Sequence, residues 1–221
     1  LMGFRQPFSS LTSYSVQVTV NLTIAALILI GGLGFLTWDD IKEHKLRLRK
    51  YRAQSKMILA TTAVLVILPF FYFWFCEYGE MGGKERFFAS LFQAVTPRTA
   101  GFNTTDLTEL SDTGKVVMII LMLIGGSPGS TAGGMKTTTI PVLVLSSAAV
   151  FSRREYAHCF GRRISYDVIR QAAAVFLMYI VLFLGGGMII SKVENIPLLT
   201  CLFETASAIG TVCLSLGITP A

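Results

Sequence analysis

Charge is scarce in this chain. Only 14% of its 221 residues are Asp, Glu, Lys or Arg, and 52% are apolar. Soluble domains carry nearer a quarter charged residues, so with a mean hydropathy of +0.61 the composition points to a membrane protein. Histidine and cysteine are scarce too. His44 and His158 lie in basic loops with no partner that suggests a ligand or a base, and Cys76, Cys159, Cys201 and Cys213 have no metal-ligand spacing. They read as isolated thiols. A zinc centre and a nucleophile–histidine–acid set are thereby removed: there is no catalytic residue to name, and the chain is not read as an enzyme. The N-terminus "LMGFRQPFSS" lacks the apolar stretch of a signal peptide. It also lacks an initiating Met, so the chain is expected to be a fragment of a longer one. The net charge of +6 would suggest a nucleic-acid partner if it were spread over a face, but the basic residues fall into two short runs. That is membrane topology, and nucleic acid is not expected as a partner.

What the chain has in quantity is long apolar runs. A bilayer core of about 30 Å needs about 20 helical residues. Residues 16–38, 57–76 and 168–191 meet that length, and 115–151 reads as two apolar segments with a glycine-rich stretch between them. Lys42, Lys45, Arg47, Arg49, Lys50, Arg52 and Lys56 crowd the first connection, and Arg153, Arg154, Arg162 and Arg163 another. Positive charge marks the cytoplasmic side. The segment 77–114, which carries Glu77, Glu80, Glu85, Asp106, Glu109 and Asp112, is then outside.

Two of the outside segments look alike. In "FFASLFQAVTPRTAGFNTTDL" (87–107) and "LLTCLFETASAIGTVCLSLGI" (198–218), Leu91-Phe92-Gln93 matches Leu202-Phe203-Glu204. Thr99-Ala100-Gly101-Phe102 then matches Thr211-Val212-Cys213-Leu214, with one extra residue in the second copy. Each copy follows a full span and has an apolar run too short to cross a bilayer, so each reads as a re-entrant short helix followed by an extended piece. Non-helical backbone at membrane depth is tolerated only when buried in protein or lining a watery cavity. Threonine–glycine stretches of this kind can offer carbonyl oxygens in place of the hydration shell of K⁺. The candidate filter residues are Thr99, Ala100, Gly101 and Phe102, with Gly210, Thr211, Val212 and Cys213. Asn103 and Asp106 would sit in an entry vestibule. Arg98 is expected to orient the first filter by hydrogen bonds to carbonyls, and Glu204 to do likewise in the second.

The stretch "GGSPGSTAGGMKTTT" (125–139) sits where a membrane helix should be uninterrupted. Gly125, Gly126, Gly129, Gly133 and Gly134 each disfavour helix by about 1 kcal/mol relative to Ala, and Pro128 breaks the hydrogen-bond ladder. Ser127, Ser130 and Thr131 are suited to satisfy freed backbone groups or to face water. Lys136 is expected against a cavity, an acidic partner or the cytoplasmic edge, because hydrocarbon costs it about 2.5–3.5 kcal/mol. Two alternatives remain for this stretch: a kink with no gating role, and a lysine that only snorkels to the inner interface. A nucleotide-binding P-loop, G-x-x-x-x-G-K-[ST], is approached by Gly129, Gly134 and Lys136, but Met135 intrudes.

These stretches, together with "LILIGGLGF" (27–35), "TPRTAGFNT" (96–104) and "SAIGTVCLSLGITP" (207–220), carry a resemblance. The chain resembles the Trk/Ktr superfamily of potassium-uptake pore subunits, and is most similar to the Ktr type. The resemblance implies an all-α polytopic membrane protein of repeated span–pore helix–filter–span units, K⁺-channel-like, in the plasma membrane. Four such units would surround one pore. Residues 1–56 would hold the end of the second unit and a cytoplasmic loop. Residues 57–151 would hold the third unit, with filter 96–102 and gate loop 125–136. Residues 152–221 would hold a second cytoplasmic loop and the fourth unit up to its filter. Two further filter units are expected upstream and one span downstream. The resemblance further implies K⁺ as the permeant ion, with Na⁺ as a second candidate and no resident metal or organic cofactor. Its implied partners are a second pore subunit, a cytosolic ring of RCK-type nucleotide-binding subunits, and membrane lipid. It also predicts glycine at position 213, where this chain has Cys. That departure keeps a less selective Na⁺/K⁺ pathway open, beside a membrane subunit with a P-loop-like site and a scaffold that carries no flux.

Overall fold

A computed structural model describes residues 17–45, 47–154 and 156–217. The opening "LMGFRQPFSS", residue 16 of the first expected span and the end of "SLGITP" lie outside the described residues. The chain is a bundle of eight helices among those residues: α1 (Val18–Gly32), α2 (Phe35–His44), α3 (Ala53–Tyr72), α4 (Gly83–Val95), α5 (Asp112–Leu123), α6 (Thr139–Phe151), α7 (Tyr166–Glu194) and α8 (Leu198–Gly210). A two-residue-per-strand hairpin, β1 (His158–Cys159) and β2 (Arg162–Arg163), lies in the second basic connection.

Among the described residues two helices are long and apolar enough to cross a membrane, α3 with its extension to Glu77 and α7, and the bent pair α1 and α2 would make a third if taken as one span. At about 1.5 Å per residue, the 29 residues of α7 exceed the hydrocarbon thickness, so both ends reach the interfaces. Of the apolar window of α7, 11% is buried, and Leu177, Val181, Leu182 and Ile189 are exposed. Such a face must be covered by lipid or protein rather than water. The end of α3 widens into a π turn over Phe73–Glu77, closed by Tyr78 N donating to the Phe73 carbonyl at 3.0 Å.

The expected span over 16–38 is broken within its length. α1 stops at Gly32, and α2 leaves at an angle of 97°. The corner is Gly34, with φ of 80°, a backbone conformation that a side chain disfavours. The Trp38 indole N–H reaches back to the Ile30 carbonyl at 3.0 Å and braces the bend.

α7 and α8 form a helical hairpin. Asn195 ends α7 in the left-handed conformation, and Pro197 precedes α8. α8 lies against α7 at Gly186 and Gly187, where a Cβ would come within 2.9 Å of Thr205 Cγ2 and 2.5 Å of Leu202 Cδ2. The largest buried cluster joins α8 to α5 and to the end of α3 through Phe73, Met118, Met122, Phe203 and Ala206, and it includes Val212 and Leu214 of the chain after α8. The core therefore sits directly behind the second candidate filter.

Candidate functional site

Both short helices, α4 and α8, contain 13 residues, about 20 Å at helical rise and too short to span. α4 closes at Pro97, which cannot continue the ladder. Thr96 N bonds to the Phe92 carbonyl at 2.8 Å, then Arg98 N to Val95 at 3.1 Å and Ala100 N to Thr96 at 3.3 Å, so the exit unwinds in tight turns. α8 closes with Thr211 N on Ala208 at 3.1 Å and Val212 N on Ser207 at 2.9 Å.

The chain that follows has the same backbone signature in both copies. Thr99 and Thr211 have φ of 62° and 55°, and Gly101 and Cys213 have φ of 72° and 65°. Left-handed geometry recurs two residues apart, at matched positions, in segments separated by a long stretch of chain. In each copy a polar side chain of the short helix also holds the returning chain. Gln93, fully buried, accepts from the Thr105 hydroxyl at 3.4 Å while its amide lies 3.3 Å from the Met118 sulfur. Glu204 accepts from the Ser215 hydroxyl at 2.6 Å and from Leu216 N at 2.8 Å. The Thr96 hydroxyl adds a bond to the Phe102 carbonyl in the first copy.

The two segments meet. A Cβ placed on Gly101 would lie 2.1 Å from the Val212 carbonyl oxygen and 3.1 Å from Cys213 Cβ. Thr99, Ala100, Gly101 and Phe102 thus lie beside Gly210, Thr211, Val212 and Cys213. Val212 is buried, while Thr211, Cys213 and Phe102 are exposed.

The glycine-rich loop lies against this pair. A Cβ on Gly133 would fall 2.0 Å from the Thr211 hydroxyl oxygen, and one on Gly134 3.6 Å from the Gly210 carbonyl. The loop is knitted together by its own backbone. Gly125 N bonds to Met135 O at 2.9 Å, Met135 N to Leu123 O at 3.2 Å, Gly126 N to Gly133 O at 3.3 Å and Thr137 N to Gly126 O at 3.0 Å. The Thr137 hydroxyl bonds to that of Ser127 at 3.0 Å, and Ala132 N to the Ser130 hydroxyl at 3.4 Å. Ser130 N closes a turn on Ser127 over Pro128 and Gly129, and Thr131 is exposed. Lys136 is half-buried and folds back to donate to the Ala132 carbonyl at 2.9 Å. A phosphate cradle needs backbone N–H groups free to point at an anion. Here those of Gly125, Gly126, Ser127, Ser130, Met135 and Thr137 are already bonded to protein oxygens.

Arg98 departs from expectation. It is 4% exposed and donates to the Thr62 hydroxyl of α3 at 3.4 Å, not to filter carbonyls; among the described residues its Nε and Nη1 have no partner. The turn after Pro97 carries the side chain between α3 and Gly32 of α1, where a Cβ would be 3.8 Å from Nη2. Between the end of α3, α4 and the connection to α5, a cavity of about 300 Å³ is lined by Glu77, Tyr78, Glu85, Thr104, Asp106 and Glu109. The hydroxyl and backbone N–H of Thr108, at 2.7 and 2.9 Å, hold the Asp106 carboxyl below its ordinary pKa. Burial first, and then the neighbouring Glu77 charge, push the Tyr78 phenol up to about 12. Among the described residues no group of three or more His, Cys, Asp or Glu is placed to hold a metal.

Sequence reasoning assigned no role to the Gly34 corner, to Thr105 and Ser215 as tethers, or to Gly186-Gly187 as the seat of α8. The "GGLGF" run and the three consecutive glycines within an apolar helix were the available signals for the first and last of these.

A bundle of apolar helices, with two short helices whose exits meet inside it, is a multi-pass membrane protein. The family model of the TrkH cation transport proteins matches residues 2–221, and the chain belongs to that family, as a membrane subunit of the Trk/Ktr superfamily residing in the plasma membrane. It is 37% identical over 227 residues to the potassium/sodium uptake protein NtpJ of Enterococcus hirae, covering 99% of this chain and 50% of that protein. It is 35% identical over 224 residues to the Ktr system potassium uptake protein B of Bacillus subtilis, with the same coverages of 99% and 50%. The chain thus spans about half the length of the curated relatives it matches. Its fold is similar to the crystal structure of the potassium transporter TrkH from Vibrio parahaemolyticus, with a TM-score of 0.71 over 91% of this chain and 46% of that one, at 22% identity.

Proposed function

We propose that this chain supplies two of the filter segments of a K⁺ uptake pore, together with its movable gate, as repeated span–pore helix–filter–span units. The observation that carries the reading is the meeting of Gly101 with the Val212 carbonyl. Two re-entrant segments that lie side by side can line one ion path. In this reading K⁺ sheds water onto backbone oxygens of 99–102 and 210–213. The C-terminal ends of α4 and α8, where helix carbonyls lack partners, favour a cation at the same place. Permeation is passive, with no catalytic residue and no organic cofactor on this chain. The loop 125–136 lies beneath Thr211 and blocks the exit until it moves, and the Lys136 ammonium repels the ion from the inner side. A second copy of the pore subunit, a cytosolic nucleotide-binding ring and lipid are the partners, with the basic connections facing that ring.

One observation favours a second reading, a less selective Na⁺/K⁺ pathway. Cys213 holds a left-handed φ of 65° where glycine would be unstrained, and a relative is named for both ions. K⁺ and Na⁺ influx into proteoliposomes carrying the complete transporter separates the two. The first reading expects K⁺ influx down its gradient well above that of Na⁺, and the second expects comparable rates. If neither ion crosses through correctly inserted protein, both readings fall.

A further inference from the structure

The glycine-rich loop is held at two places. Gly133 meets Thr211, and the stretch Ser127–Gly129 meets the corner between α1 and α2. We propose that this corner, residues Gly31–Phe35, is the seat that positions the loop under the candidate filter. This rests on reading 125–136 as the gate.

The physical reason lies in the break itself. Where α1 stops, its last carbonyls have lost their helical partners; where α2 begins, its first N–H groups have none. At membrane depth such groups must be satisfied by protein. The loop satisfies one of each: Ser127 N donates to the Gly32 carbonyl at 3.0 Å, and Phe35 N donates to the Gly129 carbonyl at 3.1 Å. The corner completes the loop, and the loop completes the corner. Gly34 lets them approach: its φ is 80°, and a Cβ there would sit 2.6 Å from the Pro128 carbonyl oxygen. The seat is itself anchored. Asp40 of α2, 1% exposed, accepts from Arg52 N at 3.1 Å at the start of α3, and the Trp38 indole ties α2 back to Ile30. Lifting the loop breaks both shared bonds and leaves a carbonyl and an N–H unpaired on the corner. The seat therefore holds the closed arrangement.

The test is a reversible tether. A Cβ on Gly31 would lie 3.8 Å from the Thr131 hydroxyl oxygen, an ordinary contact, so the pair Gly31→Cys and Thr131→Cys brings two thiols close enough to be cross-linked with a small shift. The paired variant is placed in the complete transporter, in proteoliposomes. Oxidation should form the cross-link and cut K⁺ influx at least ten-fold, reduction should restore it, and the two single-cysteine variants should respond to neither. Gly34→Ala should raise influx several-fold in the unstimulated state. A pair that does not cross-link, or that cross-links with influx unchanged, overturns the seat. Deletion of residues 126–133 separates this from the gate reading. If the deletion raises influx while the cross-linked protein conducts normally, the gate stands and the seat falls. If it lowers influx in inserted protein, the gate reading falls first.

Discussion

The chain after α4 and the chain after α8 follow one backbone course with different side chains. Left-handed φ recurs at Thr99 and Gly101, and again at Thr211 and Cys213. One copy meets the second left-handed position with glycine, the other with cysteine. One tethers the returning chain with a neutral amide, Gln93; the other uses a carboxyl, Glu204. The difference teaches that backbone geometry is what the repeat preserves, and that each copy's side chains are fitted to its neighbours. Gly101 abuts the Val212 carbonyl and has no room for a Cβ, whereas Cys213 is exposed.

The sharpest way to break the comparison is to make the copies alike in the wrong direction. Gly101→Cys puts a side chain into the Val212 carbonyl and should reduce K⁺ influx more than ten-fold, read as ion flux in proteoliposomes. Loss of less than two-fold would mean that the two segments do not touch. Exchanging the tethers comes next. Gln93→Glu places a carboxyl where only a thioether and a hydroxyl are at hand, and should cost about 2–3 kcal/mol. Glu204→Gln keeps an acceptor for Ser215 and Leu216 and should cost about 1 kcal/mol or less. Thermal unfolding of the two variants in detergent checks the order. The smallest change in stability is expected at Cys213→Gly. Relief of left-handed strain, about 1–2 kcal/mol, is largely offset by the extra freedom glycine gives the unfolded chain. Its readout is selectivity: K⁺ over Na⁺ influx should rise several-fold, and an unchanged ratio would show that the Cys213 side chain does not reach the ion path.

How much of this was legible in the residues varied with the range of the interaction. The long helices follow from composition alone, since no charge interrupts 57–76 and the one charge in 168–191, Arg170, stands near its end. The two short helices and their exits were visible because the motif occurs twice. The break within 16–38 was signalled only by the glycines of "GGLGF", each costing a helix about 1 kcal/mol, in a run that stays apolar on both sides; its backbone partners, Ser127 and Gly129, lie far along the chain. Arg98 misled for a related reason. A basic residue beside a row of carbonyls invites a bond to them, but Pro97 turns the chain and the guanidinium ends against Thr62. The β1–β2 hairpin, two residues to a strand, carries no periodicity to read.

The close approach of Gly101 to Val212 also constrains how this chain can vary. Positions 101 and 213 face each other across one crowded space, so a methyl added at one consumes the clearance of the other. Their substitutions should be strongly non-additive, as expected for residues in contact. Glycine at 213 would widen that space, but the Val212 carbonyl, 2.1 Å from a Cβ on residue 101, would still keep 101 bare.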